Sequence, residues 1–332
     1  MTDPKGDCVP ARDARTRTPR GTPATVPGEG LVVGTVPPGA RVTGVLLLLA
    51  ALAGLVSAFP TYLEVDGRAL VLGGSFLGAL AVLIGPLVHA AVGGLLVRSV
   101  LPKFGLAYAA VAGALSLGAL LIELYRGRSS TDRPGVEVLG GERVLTSDLH
   151  VGAGWVAGVV ALALTVLAGC VAVGAWSRTV MDDAGALDAV RGPLAGGVLL
   201  VGVATVLCLT LPAADVQDDL VEDPVSGLQV VVTVEGPQAL LERPGLALLG
   251  GLLLAGALLL CSVIAPSLRP RLAAVGGLLA LTVTVLTAGI SVLRDAVVSD
   301  DLYWTLPGVG LLLAGLAFAL LTGLAWRLRR RP

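Results

Sequence analysis

Charge is what this sequence lacks most. Asp, Glu, Lys and Arg make up 14% of its 332 residues, against about 25% in soluble domains. So little polar surface cannot coat a water-soluble globule of this length. That excludes a cytosolic enzyme, a nucleic-acid-binding module and a disordered tail protein. Aromatic residues are scarce, at 4%, and only two of the 23 basic residues are lysines, Lys5 and Lys103. Cysteine is confined to Cys8, Cys170, Cys208 and Cys261, the last three inside apolar runs, and no CxxC or Cys/His spacing occurs. No external disulfide framework or Cys/His metal centre is expected. GxSxG, HExxH and P-loop motifs are also missing, so the sequence points to no catalytic residue, cofactor or metal site.

What is present is apolar length. Hydrophobic residues reach 55% and mean hydropathy is +0.87. Eight nearly uncharged runs follow one another: Val42–Phe59, Ser75–Val97, Phe104–Leu124, Val151–Ala175, Pro193–Leu211, Gly245–Ala265, Leu272–Leu293 and Leu306–Ala325. At 1.5 Å per residue each crosses a hydrocarbon core of about 30 Å as a helix. None alternates polar with apolar as barrel strands do. The expected fold is an all-α polytopic bundle of eight transmembrane helices. Residues 1–41, rich in Pro, Thr, Arg and Gly, are expected to form a disordered cytoplasmic tail, and 326–332 a short basic one.

Segments 1–41, 98–103, 176–192, 266–271 and 326–332 carry 16 of the 23 basic residues, whereas the alternate segments carry 17 of the 24 acids. The positive-inside rule places both termini in the cytoplasm of a multi-pass plasma-membrane protein. Trp155 with Trp176, and Trp304 with Trp326, bracket the fourth and eighth runs as interfacial belts would. The expected partners are the lipid bilayer, anionic lipids at the basic cluster Arg327, Arg329, Arg330 and Arg331, and other membrane proteins; nucleic acid is excluded.

Three outer loops share strings of β-prone residues around glycine: 63–70, 136–145 and 233–240. Short β-hairpins are predicted there. The loop 294–305 lacks the pattern. Such repetition suggests a duplicated unit of helical hairpins, which would be parallel because every pair starts from the cytoplasm.

Few residues invite a functional role. Every formal charge falls in a tail, a loop or the end of a run, Glu123 coming nearest to the membrane interior. His89 is the one ionisable side chain well inside a run and follows Pro86, a kink-forming residue. Such a histidine marks a substrate or proton path, or else a packed imidazole bonded to a neighbouring helix. The seventh run carries a seam of small and hydroxyl residues, Ala273, Gly277, Ala280, Thr284, Thr287 and Ser291, on one helix face. It predicts close helix packing, or a polar path lined by Thr284, Thr287 and Ser291. Glu64 and Asp66 directly follow the first run. They resemble the acidic pair in the first outer loop of polytopic lipid-linked-sugar glycosyltransferases, a likeness of one short string that implies outer-face catalysis. Glycosyltransferases of that kind carry large external domains, and the longest outer loop here is 212–244. The expected role is a non-catalytic envelope or assembly component. The alternatives are a carrier or channel for a small neutral solute or lipid, and an outer-face membrane enzyme.

Overall fold

The computed structural model describes residues 31–65, 68–128, 136–139, 142–145, 149–183, 190–216, 219–222, 229–232, 239–240, 245–298 and 302–328. Eight of its helices are long and apolar enough to cross a membrane. They are α1 (Pro38–Ser57), α2 (Phe76–Val97), α3 (Pro102–Arg126), α4 (Ala153–Trp176), α5 (Arg191–Thr210), α6 (Gly245–Ile264), α7 (Arg271–Val298) and α8 (Leu306–Arg327). The fold is the all-α polytopic bundle expected from the apolar runs. Local chemistry sets several helix starts. Pro38 and Pro102 open α1 and α3, where a missing N–H costs nothing. Ser75 caps α2 by accepting from the Gly78 N–H at 3.0 Å.

Helix α7 is longer than its apolar run. Its 28 residues amount to about 42 Å, and they take in Arg294 and Asp295. Helix α1 starts four residues ahead of its run. The strand β1 (Leu31–Val33) precedes it and pairs antiparallel with β7 (Met181–Asp183). Residues 31–41, expected as tail, are therefore strand, connection and helix; residues 1–30 and 329–332 of the two tails lie outside the described residues.

The other strands lie at the opposite end, called here the hairpin end. They are β2 (Leu63–Val65), β3 (Arg68–Leu70), β4 (Val136–Leu139), β5 (Glu142–Leu145), β6 (Leu149–Val151), β8 (Ala214–Val216), β9 (Asp219–Glu222), β10 (Gln229–Val232) and β11 (Leu302–Trp304). Hairpins β2–β3 and β4–β5 fall where predicted. The third, β9–β10, lies upstream of the predicted position, and 233–238 are outside the described residues. The β-prone string Gln229–Val232 supplies the strand.

Two of these pairings disclose a duplication larger than a hairpin. Strand β2, just after α1, pairs with β6, just before α4, in the register Leu63 with Val151, Glu64 with His150 and Val65 with Leu149. Strand β8, just after α5, pairs with β11, just before α8: Ala214 with Trp304, Asp215 with Tyr303 and Val216 with Leu302. The two ladders coincide residue for residue. The next backbone bond repeats as well: the Gly152 N–H donates to the Tyr62 carbonyl at 3.0 Å, and the Thr305 N–H to the Ala213 carbonyl at 3.4 Å. Helix contacts follow the same scheme. Helix α1 packs on α2 and α4, and α3 on α4; α5 packs on α6 and α8, and α7 on α8. Across the middle α3 meets α6 while α7 meets α2, and α3 and α7 meet each other. The unit is thus four helices, repeated once, with the second copy turned about an axis that runs between α3 and α7. Both copies point the same way through the membrane.

Glycine makes the crossings close. A Cβ on Gly113 of α3 would stand 2.7 Å from the Gly169 Cα of α4, and one on Gly289 of α7 would stand 2.7 Å from the Leu312 Cα of α8. Backbones brought this near gain van der Waals contact that lipid cannot supply. Around them lies a core of fully buried side chains that includes Leu106, Tyr108, Leu278, Leu281 and Phe318.

Candidate functional site

His89 belongs to a polar node in the first half. It projects from α2 towards α3 and α4, with its Nδ1 2.7 Å from the Gly85 carbonyl and 3.2 Å from the Tyr108 hydroxyl. Its Nε2 lies 3.5 Å from Thr165 Oγ1. The Tyr108 ring meets the imidazole edge-on. Both ring nitrogens thus have protein partners.

The seam of α7 divides. Ala273, Gly277 and Ala280 are buried, whereas Thr284, Thr287 and Ser291 are half-buried. Leu278 and Val285, off the seam, are buried as completely, so α7 is enclosed on several sides. The Thr284 and Thr287 hydroxyls donate to carbonyls of their own helix, at Ala280 (3.0 Å) and Val283 (2.8 Å). The hydroxyl pair that links α7 to α8 is Thr282 with Thr322, at 2.9 Å and off the seam. Glu64 is exposed on β2, in register with His150 of β6; Asp66 lies outside the described residues. His89, the α7 hydroxyls and Glu64 belong to separate places.

The structure places a different group together. A cavity of about 700 Å³ lies at the hairpin end between α2, α5, α7 and α8. Its walls are mostly apolar, with Val82, Leu209, Val292 and Leu311 among them, and the exposed Val71, Leu211 and Val298 stand at its rim. Ser75, Ser291, Arg126, Arg294 and Asp295 supply its polar side chains. Among the described residues, Ser291 is the one sequence-predicted residue that the cavity includes. Arg294 bonds Asp295 through Nε at 2.9 Å and through a terminal nitrogen at 2.5 Å, both on one carboxylate oxygen. The Arg294 side chain is only 12% exposed. Across the cavity Arg126 bonds Glu123 at 3.0 Å.

The corresponding place in the first half is filled. Glu123 and Ser291 stand equally far along α3 and α7 from Pro102 and Pro270, as do Arg126 and Arg294. Tyr62 and Ala213 each precede the first strand by one residue, and Trp155 and Gly308 stand equally far beyond β6 and β11. Thus Tyr62, Glu123 and Trp155 occupy positions that Ala213, Ser291 and Gly308 hold in the second half. The Tyr62 hydroxyl donates to Glu123 Oε1 at 2.5 Å, and Trp155 Nε1 donates to the Glu123 carbonyl at 3.1 Å. Burial pushes the Tyr62 phenol well above the ordinary tyrosine range, and the Glu123 carboxylate adds to that shift. The phenol is therefore a fixed donor. Gly127 packs directly on the Trp155 ring. A buried carboxylate with both oxygens engaged meets the requirement for a charge out of water. Ala213 and Ser291, small where Tyr62 and Glu123 are large, border the cavity of the second half, whereas Trp304 packs against Gly308.

Sequence reasoning missed Arg126 and Arg294 because each reads as a flank of an apolar run. The matched strings Glu64–Val65 and Asp215–Val216, and Leu149–Val151 and Leu302–Trp304, were the signal for the repeat. Architecture and site together define a multi-pass helical membrane protein built from two parallel four-helix units. No known family, curated protein or solved structure matches the chain.

Proposed function

We propose that this protein is a non-catalytic component of the plasma membrane that holds one amphipathic small molecule in the cavity at its hairpin end. The observation that carries this reading is the cavity itself. It is of the size of small-ligand sites, which span about 300–1,000 Å³, is mostly apolar, and has polar groups gathered at one end. Along α7 its lining runs from Val298 to Ala288 and goes no deeper. Below that level Val285, Leu281 and Leu278 are buried. Gly289 and Gly315 bring α7 and α8 into backbone contact. Such an arrangement favours holding a ligand from one side over passing it through. The split of basic and acidic residues supports a hairpin end facing outwards, with both termini in the cytoplasm.

The full chain, extracted in a mild non-ionic detergent, is expected to carry lipid or another amphiphile at one molecule per chain. Ala288→Trp, which fills the cavity, is expected to lose it while the thermal midpoint stays close to that of the parent. A chain that carries no stoichiometric amphiphile, or an Ala288→Trp variant that carries it undiminished, would overturn the reading. Reporter fusions after residues 140 and 332 test the orientation: an external reporter at 140 and a cytoplasmic one at 332 are expected.

A further inference from the structure

We infer that the ligand of the hairpin-end cavity is an acidic membrane lipid, its anionic headgroup standing beside Arg294 where the Glu123 carboxylate stands beside Arg126 in the other half. The inference rests on the reading of this cavity as a ligand site and adds the chemistry of what enters it.

The filled half shows what this backbone frame accepts. There Arg126 faces a carboxylate supplied by the helix itself, and Tyr62 donates to the same group. In the second half the arginine is kept as Arg294, but Ser291 stands in place of the glutamate and Ala213 in place of the tyrosine. Carboxylate and ring are thus both replaced by space. Among the described residues, the charged side chains lining that space are Arg126, Arg294 and Asp295, Arg126 being paired with Glu123 and Arg294 with Asp295. Glu123 sits behind Arg126 and does not line it. Asp295 uses one oxygen on Arg294 and is 30% exposed. An anion from a ligand would add a second partner to Arg294, at the place Glu123 takes beside Arg126, and a guanidinium presents the flat donor fork that carboxylates and phosphates match.

Position specifies the remainder of the molecule. Arg126 closes the last turn of α3 and Arg294 stands four residues before the end of α7, both towards the hairpin end, while Val82, Ala288 and Leu311 lie deeper on their helices. A charged head at the membrane boundary with a hydrocarbon portion below it is how a lipid lies in one leaflet. A free phosphate would leave the apolar wall uncovered.

The test uses the full chain, stripped of lipid in detergent and titrated with dioleoyl-phosphatidylglycerol or dioleoyl-phosphatidylcholine, with bound molecules counted by native mass spectrometry. One phosphatidylglycerol per chain is expected, held about tenfold more tightly than phosphatidylcholine, as one charge-assisted contact supplies. Ser291→Glu, which restores the internal carboxylate, is expected to erase that preference, and Ser291→Gln, of matching size without charge, to keep it. Equal retention of the two lipids, both lost in Ala288→Trp, would overturn the acidic headgroup and leave the cavity reading standing. Retention of neither would overturn both. Displacement of phosphatidylglycerol by glycerol 3-phosphate at matching concentration would overturn the lipid in favour of a soluble phosphate. Ser291→Glu and Ser291→Gln abolishing the preference alike would show that bulk, not charge, decides, which also overturns the inference.

Discussion

The two halves of this protein hold one backbone frame and spend it differently. In the first, Tyr62, Glu123, Arg126 and Trp155 lock α1, α3 and α4 together at the hairpin end. In the second, Ala213 and Ser291 border an open cavity, while Trp304 packs against Gly308. The halves also differ in closeness, α1 lying along α2 far more extensively than α5 along α6. The cavity lies between the two halves, with Leu63, Leu70 and Arg126 of the first and Ala213, Ser291 and Arg294 of the second in its lining. Two copies of one unit that differ in bulk at matching positions give a pocket without altering the frame.

Substitutions in the two halves can break or sharpen this comparison. The largest effect is expected at the close glycine crossing that each half has, at a different level of the repeat. Gly113→Leu and Gly289→Leu each force a side chain into a backbone 2.7 Å away and should cost about 3 kcal/mol or more, read as a large drop in the thermal midpoint. Gly174→Leu meets nothing within 4 Å and should leave the midpoint unchanged.

A middle-sized effect is expected where the halves differ. Tyr62→Phe removes a donor to a buried carboxylate and should cost about 1–3 kcal/mol. Ser291→Ala, at the position matching Glu123, should stay within about 0.5 kcal/mol. Equal costs at the two sites would show that the open half is as tightly bound as the filled one.

The phenol gives the same contrast a pH dependence. Its pKa is raised on folding, so its contribution is complete below the ordinary tyrosine value of about 10 and is lost as pH rises above it. Thermal midpoints should fall above about pH 10, and Tyr62→Phe should flatten that fall.

The smallest effect belongs to Thr284. Its hydroxyl bonds its own helix at Ala280, so Thr284→Val should change stability by less than about 0.5 kcal/mol. A cysteine replacing Thr284 should resist water-soluble thiol reagents, and one replacing Ser291 should react. Labelling at 284 would extend the cavity to the middle of the membrane and restore the carrier reading.

Much of the frame was legible before any coordinates. Each of the eight helices covers most of an apolar run, because lipid demands that backbone bonds close within the helix. The hairpins at 63–70 and 136–145 followed from β-prone residues around glycine. The seam of α7 was legible as a helix face, but not the burial of Leu278 and Val285 opposite it, since that needed the central place of α7 between α2, α3 and α8. The candidate site was nearly illegible. Ser291 drew notice as a seam hydroxyl, while Arg294 and Arg126 looked like ordinary flanks.

Composition and hydrophobic run length by themselves determined that this chain is an eight-helix membrane bundle, because both are sums over local transfer costs and need no partner. The four-helix repeat, the filled node at Glu123 and the open cavity beside Arg294 were decided only by tertiary structure. Each depends on which residue of a distant segment arrives opposite: Tyr62 and Trp155 in one half, Ala213 and Gly308 in the other. A lone sequence holds those residues but not their meeting.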